Sequence, residues 1–187
     1  MTLHVSRISP ALLILDLDNT LIYASQYEPG SSAQCVVGEY AIAFRPYVHS
    51  FLATCQKRYR LAIWSSASEH YVNGVLEKLA PRIDFAFVWS RARCTLRNDT
   101  ELRDWLFTKP LKKVQRLGWP LERMLIVEDK PENVQANYGN AVYVTPFSGE
   151  PDSELYLLGR FLTDIKDVPN FRKIEKRDWQ RRYAHLL

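Results

Sequence analysis

Uninterrupted apolar runs alternate along this chain with segments in which apolar residues recur every three or four positions. The runs cover residues 11–16, 60–64, 85–89, 124–127 and 141–144. Their length and continuity are typical of strands buried on both faces of a parallel sheet. Together with the helical periodicity between them, they predict an α/β domain in which helices flank a central parallel sheet.

Helices are predicted where apolar residues recur every three or four positions. Pro46 suits the first position of the first helix, and Ser68 is a plausible N-cap of the second. The predicted helices span residues 45–58, 68–79, 110–117, 153–167 and 171–183.

Two segments interrupt this alternation. Residues 24–44 contain turn-forming residues followed by a β-prone stretch, and they predict a hairpin flap over the sheet edge. Residues 90–108 are charged, and we interpret them as an irregular insertion. We expect a single domain over residues 1–187, with residues 153–187 forming C-terminal helices.

Two carboxylates follow the first apolar run directly. Asp16 and Asp18 occur in the sequence Asp-Leu-Asp-Asn-Thr-Leu, at the carboxyl end of the predicted strand, where open α/β sheets bind their ligands. Carboxylates at this edge could bind one Mg²⁺, together with substrate phosphate. A calcium loop is disfavoured because Leu21 stands where such a loop requires glycine. A simple strand-to-turn exit remains an alternative.

Three later positions could complete a phosphoryl-transfer site. Ser65 follows the strand ending at Trp64 and could donate to a phosphoryl oxygen, or it could merely help cap the next helix. Lys109 precedes a helix and could supply the positive charge that stabilises a transferring phosphoryl group, although it could also be a solvated lysine. Glu128 and Asp129 end a second apolar strand in acids, which we expect to lie beside the first pair.

These four motifs, in this order, resemble those of the haloacid dehalogenase (HAD) superfamily. The resemblance implies a HAD-like, Rossmannoid central sheet without a large cap, Asp16 as the nucleophile that becomes an aspartyl phosphate, and Asp18 as the acid and base. It implies that Mg²⁺ is bound by Asp16, Asp129 and the main chain of Asp18. Glu128 departs from the usual aspartate and could reach the metal or Lys109.

Finer features resemble the C-terminal-domain phosphatase group (FCP/SCP type, also called NLI-interacting-factor-like). These are the Arg-Pro-Tyr-Val segment at Arg45, the Ile-Trp-Ser segment ending at Ser65, and Lys109-Pro-Leu. The closing Asp-Trp-Gln-Arg-Arg-Tyr pattern is most similar to the branch that carries a ubiquitin-like domain, which we do not expect here because the first motif begins at residue 11. The resemblance implies a protein phosphoserine or phosphothreonine phosphatase. The implied catalytic residues are Asp16, Asp18, Ser65 and Lys109, the implied substrate-binding residues are Asn19, Thr20, Ser66 and Arg93, and the implied metal ligands are Asp16, Asp18, Glu128 and Asp129.

Composition bears on the compartment of the protein and on membrane and nucleic-acid binding. The three cysteines lack metal-ligand spacing, so we expect a reducing compartment, cytoplasmic or nuclear, and a soluble protein that is not secreted. No apolar run reaches the roughly 20 residues of a membrane span. The net charge of +4 lies in the tail, whose aromatic and basic residues suit docking better than nucleic-acid binding.

We expect a monomer that acts on a phosphorylated protein or peptide. Two alternatives remain open at this point: the same chemistry on a small metabolite or nucleotide, and a phospho-binding scaffold that has lost catalysis. The aromatic residues in and beside the flap, Tyr23, Tyr27, Tyr40 and Phe44, could contact a peptide or pack onto the core.

Overall fold

The computed structural model describes residues 10–26, 33–99 and 104–187, so Tyr27 lies outside the described residues. Its centre is a parallel sheet of five strands: β1 (Leu12–Leu15), β5 (Arg60–Trp64), β6 (Val88–Trp89), β9 (Met124–Glu128) and β10 (Ala141–Tyr143). Their order in the sheet is β10-β9-β1-β5-β6. The predicted α/β fold with a central parallel sheet is confirmed.

Strand β1 occupies the middle of this sheet because all of its side chains are apolar. Leu13 and Leu15 enter the core on one face, whereas Leu12 and Ile14 enter a second core on the other. A strand buried on both faces must have parallel neighbours whose outer faces are also covered. Its register against β5 and β9 brings the carboxyl ends of the three strands to one edge.

Helices cover both faces. Those predicted over residues 45–58, 68–79, 110–117 and 153–167 are present with shorter limits, whereas the helix at Pro131–Val134 was not predicted. The N-cap predicted at Ser68 is confirmed, since its Oγ accepts from the main-chain N–H of Tyr71 at 3.4 Å. The first helix starts at Val48 and not at Pro46, because Tyr47 adopts a left-handed conformation with φ of 65°. The helices are α1 (Val48–Cys55), α2 (Glu69–Leu79), α3 (Lys112–Gln115), α4 (Pro131–Val134), α5 (Glu154–Ile165) and α6 (Trp179–Tyr183).

The flap is a three-stranded antiparallel sheet, one strand more than the predicted hairpin. Its strands are β2 (Ile22–Gln26), β3 (Cys35–Val37) and β4 (Tyr40–Phe44), with β4 in the middle. The flap packs on α2 at Gly74, where an added Cβ would lie only 2.7 Å from Cγ1 of Val37. Glycine therefore permits a close approach that fixes the flap beside the sheet edge.

The insertion is a regular hairpin, so the prediction of an irregular segment is wrong. Strands β7 (Thr95–Asp99) and β8 (Asp104–Thr108) pair antiparallel. Four of the five residues of β7 are polar, and the three apolar residues of β8 are consecutive, so neither strand shows the apolar alternation that would indicate it in sequence. Cross-strand pairing between β7 and β8 stabilises the hairpin.

The C-terminal segment docks as predicted, although residues 171–183 are not one helix. A 3₁₀ turn at Phe171–Lys173 is followed by extended chain and then by the short helix α6. Phe171 and Trp179 are fully buried, and the Trp179 indole N–H donates to the carbonyl of Tyr143 at 2.8 Å. Lys176 is also buried, and its ammonium group donates to the carbonyls of Phe171 and Ile174.

None of the helices within the described ranges 10–26, 33–99 and 104–187 combines the length and the apolar character that crossing a bilayer requires.

Candidate active site

The first acidic motif turns sharply as it leaves the sheet. The main-chain N–H of Asp16 still donates to the carbonyl of Val127 at 3.1 Å, and the next residues form a turn closed by Leu21 N–H on Leu17 O at 2.9 Å. Asn19 occupies the left-handed region with φ of 56°, a conformation that asparagine tolerates better than most residues. Asp16 is consequently buried at the carboxyl edge of the sheet, with Asp18 half-buried beside it.

Lys109 lies at the centre of the site. Its ammonium nitrogen is 2.6 Å from Oδ1 of Asp16 and 2.6 Å from Oε2 of Glu128, and its side chain is fully buried. Main-chain hydrogen bonds hold it there, since its N–H donates to the carbonyl of Asn133 and its carbonyl accepts from the Asn137 amide. Burial alone would lower the pKa of Lys109, but the carboxylates of Asp16 and Glu128 raise it above its usual value.

Glu128 reaches Lys109 through its extra methylene. One carboxylate oxygen accepts from Lys109, and the other accepts from the side-chain amide of Asn133 at 3.1 Å. Burial and the charge of Asp16 raise the pKa of Glu128 well above its ordinary value, and Lys109 only partly offsets this. The departure from aspartate therefore places this carboxylate against the lysine.

Three carboxylates in this cluster face one ammonium group. Ligand oxygens of Asp16, Glu128 and Asp129 all lie within 4.8 Å of one another, and the three residues are buried. Burial and the charge of Asp16 also raise the pKa of Asp129. Hard oxygen donors in excess of the local positive charge are the donor set that suits Mg²⁺, so the residues present fit this ion.

Asp18 is held by two hydroxyl groups. The phenol of Tyr71 donates to its Oδ1 at 2.7 Å, and the hydroxyl of Ser65 donates to its Oδ2 at 3.4 Å. The Ser65 oxygen in turn accepts from the main-chain N–H of Ala67 at 3.0 Å. Burial and the charge of Asp16 raise the pKa of Asp18, against the lowering effect of both hydroxyl hydrogen bonds.

A cavity of about 560 Å³ opens beside Asp18 between the flap and α2, and we call it the flap cavity. Arg91 lines it, with its Nε donating to the carbonyl of Ser66 at 2.6 Å. Arg93, selected from the sequence, instead lies over the ring of Trp89 at 5.4 Å. The flap cavity is lined by Asp18, Ala24, Glu39, Tyr40, Ser66, Ala67, Ser68, Tyr71 and Arg91.

The structure thus brings most of the predicted site residues together at one edge. Asp16, Asp18, Ser65, Lys109, Glu128 and Asp129 form one cluster linked by the contacts above. Asn19 and Thr20 lie in the turn after β1, where Thr20 is fully buried. Neither residue lines the flap cavity. Ser66 does line it, and its main-chain carbonyl accepts from Arg91.

Comparison with known proteins agrees with this geometry. Residues 11–172 match the family model described as NLI interacting factor-like phosphatase. The chain belongs to this family. The resemblance predicted from the four motifs is therefore confirmed.

Individual relatives are distant. The chain is 24% identical over 192 residues to zebrafish (Danio rerio) ubiquitin-like domain-containing CTD phosphatase 1, covering 96% of this chain and 57% of the relative. It is 24% identical over 180 residues to nuclear envelope morphology protein 1 of Schizosaccharomyces pombe, covering 90% of this chain and 36% of that protein. The chain thus spans little more than half the length of the first of these relatives.

Among solved structures, the fold is similar to that of fission yeast RNA polymerase II CTD phosphatase Fcp1 bound to beryllium fluoride. The TM-score is 0.57 at 18% identity, and the match covers 95% of this chain and 61% of that one. This similarity confirms the predicted HAD-like fold.

Two residues at the site of this NLI interacting factor-like chain carry roles that the sequence did not reveal. Arg45, interpreted as part of a helix start, is buried behind the turn after β1 and donates to the carbonyls of Thr20 and Thr145. Tyr71, on α2, donates its phenol hydroxyl to Asp18. Arg45 belongs to a segment that carries the family resemblance, but that resemblance did not indicate these contacts. Nothing in the sequence indicated the bond from Tyr71 to Asp18, because both roles depend on contacts between distant segments.

Proposed function

We propose that this chain is a Mg²⁺-dependent phosphatase that hydrolyses phosphomonoesters through an aspartyl phosphate on Asp16, and that its substrates are phosphorylated proteins. One observation carries the proposal: Lys109 is buried between Asp16 and Glu128, with Asp129 and Asp18 beside them. A cation fixed among carboxylates at the carboxyl edge of a parallel sheet is suited to neutralise a transferring phosphoryl group.

In the first step, a carboxylate oxygen of Asp16 attacks phosphorus, and the bond between phosphorus and the ester oxygen breaks. Asp18, in its protonated form, gives its proton to the departing oxygen. In the second step Asp18 accepts a proton from water, whose oxygen attacks phosphorus and breaks the bond to Asp16. Two carboxylates are needed because one group cannot be nucleophile and proton donor in the same step.

The surrounding residues hold these groups in place. Lys109 holds one oxygen of Asp16 and leaves the other available to phosphorus. Ser65, now donating to Asp18, can turn its hydroxyl toward a phosphoryl oxygen when substrate is bound. Tyr71 keeps the Asp18 carboxyl group aimed at the site.

Asp16 and Asp129, with the main-chain carbonyl of Asp18, are the proposed metal ligands. Glu128 was included among the candidate ligands, but its contacts with Lys109 and Asn133 favour a role in positioning the lysine. Bound Mg²⁺ would supply further neutralisation of negative charge at the transferring phosphoryl group.

The proposal of a protein substrate rests on access to the site. The flap cavity lies directly beside Asp18 and has room for more than a phosphate group. A relative's name, ubiquitin-like domain-containing CTD phosphatase 1, is consistent with a phosphorylated protein segment as substrate.

The test is hydrolysis of p-nitrophenyl phosphate with Mg²⁺ and with EDTA, by the wild type and by Asp16→Asn. We expect Mg²⁺-dependent turnover that falls by at least about 10⁴-fold in Asp16→Asn, the scale expected when a covalent nucleophile is removed. Asp84→Asn is the matched control, because Asp84 lies in an exposed pair with Arg60 far from the cluster. Turnover that survives Asp16→Asn would refute the mechanism, and a wild type without turnover would favour the phospho-binding alternative.

A further inference from the structure

A second cavity, of about 440 Å³, opens where the segment that follows α5 passes the edge strand β10. We call it the basic cavity. Its walls are the 3₁₀ segment Gln135–Asn140, strand β10 and residues 172–177. It shares no lining residue with the flap cavity, and none of the residues selected from the sequence as catalytic, substrate-binding or metal-binding lines it.

Positive charge exceeds negative charge in the basic cavity. Four of its lining residues are cations, and one, Glu175, is a carboxylate. The two oxygens of Glu175 already accept from Arg177, at 3.0 and 2.5 Å. Three cations are left, and within the described ranges of the chain none of their side chains contacts a carboxylate: Arg172, Lys173 and Lys176.

Lys176 places a buried ammonium group in the wall of this cavity. Two of its three N–H donors reach the carbonyls of Phe171 and Ile174, at 2.7 and 2.9 Å. Burial lowers the pKa of Lys176, and the charge of Arg172 lowers it further, although Glu175 raises it. A buried cation whose direct contacts are neutral, with a second cation nearby, is stabilised when an anion binds.

Arg172 is positioned by packing and not by an ion pair. Its side chain lies against Gly139, where an added Cβ would stand 3.4 Å from Nε and 3.7 Å from Cβ of the arginine. The residues that the structure describes provide no hydrogen-bond acceptor for its guanidinium group. This planar group therefore keeps its donors for a ligand, and their fork matches the oxygens of a phosphate group.

A tyrosine in the same cavity offers a second kind of contact. Tyr138 is 76% accessible, so its ring is available to pack against a flat ligand group. An aromatic ring beside cations suits a nucleotide, whose base stacks on the ring while its phosphate groups contact the cations. A strand of nucleic acid would instead require cations along an extended groove. Here the cations line a single cavity with room for more than a phosphate group.

We propose that the basic cavity is a binding site for a nucleoside diphosphate. The diphosphate group contacts Arg172, Lys173 and Lys176, and the base packs on Tyr138. The proposal does not rest on phosphatase activity, because no catalytic residue takes part. It also accounts for the excess positive charge of the C-terminal segment, which the packing of the buried aromatic residues there does not explain.

The test is isothermal titration calorimetry with ADP as the probe, in EDTA and at about 0.15 M salt, where interactions between exposed charges are screened. EDTA removes divalent cations, so that the carboxylates around Asp16 repel phosphate groups from the catalytic cluster. We expect the wild type to bind ADP with a Kd below about 1 mM.

Arg172→Gln should raise the Kd for ADP by about tenfold, the scale of losing hydrogen bonds between charged groups. Arg172 is exposed, so its replacement leaves the core intact. Arg181→Gln is the matched control, because Arg181 is an exposed arginine of the same terminal segment that pairs with Asp178 and does not line the cavity. The control should leave the Kd within about twofold of wild type.

Tyr138→Ala separates the contribution of the base from that of the diphosphate. It should raise the Kd for ADP by about tenfold, the scale of stacking one base on an aromatic ring. It should leave the Kd for inorganic pyrophosphate within about twofold of wild type, because pyrophosphate has no base to stack.

Three results would overturn the proposal. The first is a wild type that does not bind ADP with a Kd below about 1 mM. The second is an Arg172→Gln variant that binds ADP no more weakly than Arg181→Gln does, because binding would then not depend on the basic cavity. The third is unchanged ADP binding in Tyr138→Ala, which would exclude a nucleotide as the ligand.

Discussion

Two buried cations hold the catalytic edge of this protein, and their surroundings differ. Lys109 contacts two buried carboxylates, Asp16 and Glu128, and a third, Asp129, lies beside them. Arg45 contacts one carboxylate, Asp152, and two main-chain carbonyls. Negative charge therefore exceeds positive charge around Lys109, whereas it is balanced around Arg45.

This difference separates a site built for chemistry from one built for stability. A buried carboxylate in excess is costly unless a cation or a proton compensates it, which is why the pKa values of Glu128 and Asp129 are raised. The proposed Mg²⁺ would compensate this excess charge. Each of the three guanidinium nitrogens of Arg45 contacts an oxygen, and these contacts fix the turn after β1 that carries Asp18.

Of the two buried cations, Lys109 is expected to have the larger effect. Lys109→Met removes the positive charge that we propose neutralises the phosphoryl group, and we expect kcat for p-nitrophenyl phosphate to fall by about 10³-fold. Steady-state kinetics with Mg²⁺ measures this, and circular dichroism checks that the variant is folded. A folded variant with wild-type kcat would place Lys109 outside the reaction and remove the basis of the comparison.

Arg45→Met tests whether Arg45 stabilises the fold. We expect the free energy of unfolding to fall by about 3 kcal/mol, near the lower end of the cost of breaking a buried ion pair. The lower end applies because the Asp152 side chain is 32% accessible and can be solvated again. Urea unfolding measures the change. A variant of native stability that lacks activity would show that Arg45 acts in catalysis and not through the turn.

A smaller effect on kcat is expected at Tyr71. This residue contacts Asp18 but carries no charge, so its replacement separates the loss of one hydrogen bond from the loss of a buried cation. Tyr71→Phe removes one hydrogen bond to the Asp18 carboxyl group, and we expect kcat to fall by about tenfold. Tyr40→Phe is the control, since it keeps the ring contact with Tyr71 and alters no bond to Asp18. Equal losses in the two variants would argue against a specific role for the Tyr71 hydroxyl.

The smallest effect should come from the exposed pair Arg60–Asp84, which gives the baseline for both buried cations. Its nitrogen and oxygen are 3.2 Å apart, and both side chains are largely accessible. A double-mutant cycle with alanine, measured by urea unfolding, should give a coupling energy below about 1 kcal/mol. A coupling as large as the loss in Arg45→Met would mean that burial is not the reason for the difference.

Much of the central sheet and of the catalytic cluster could be predicted from residue order. Apolar runs such as Leu12–Leu15 can be buried only between covering layers, and parallel strands necessarily bring their carboxyl ends to one edge. Acids that follow two such runs were therefore expected to lie close together, as the carboxylates of Asp16 and Glu128 do. Helix limits could not be predicted in this way. The first helix starts at Val48 because Tyr47 adopts a left-handed conformation that no pattern in the sequence indicated.

The sequence by itself thus determined the sheet, the order of the motifs and the family. Only the tertiary structure decided that Glu128 contacts Lys109, that Tyr71 binds Asp18, and that Arg91 and not Arg93 lines the flap cavity. The physical reason is the range of the interactions. Burial and periodicity are properties of neighbouring residues, whereas these contacts join separate segments of the chain and depend on how packed elements orient each side chain.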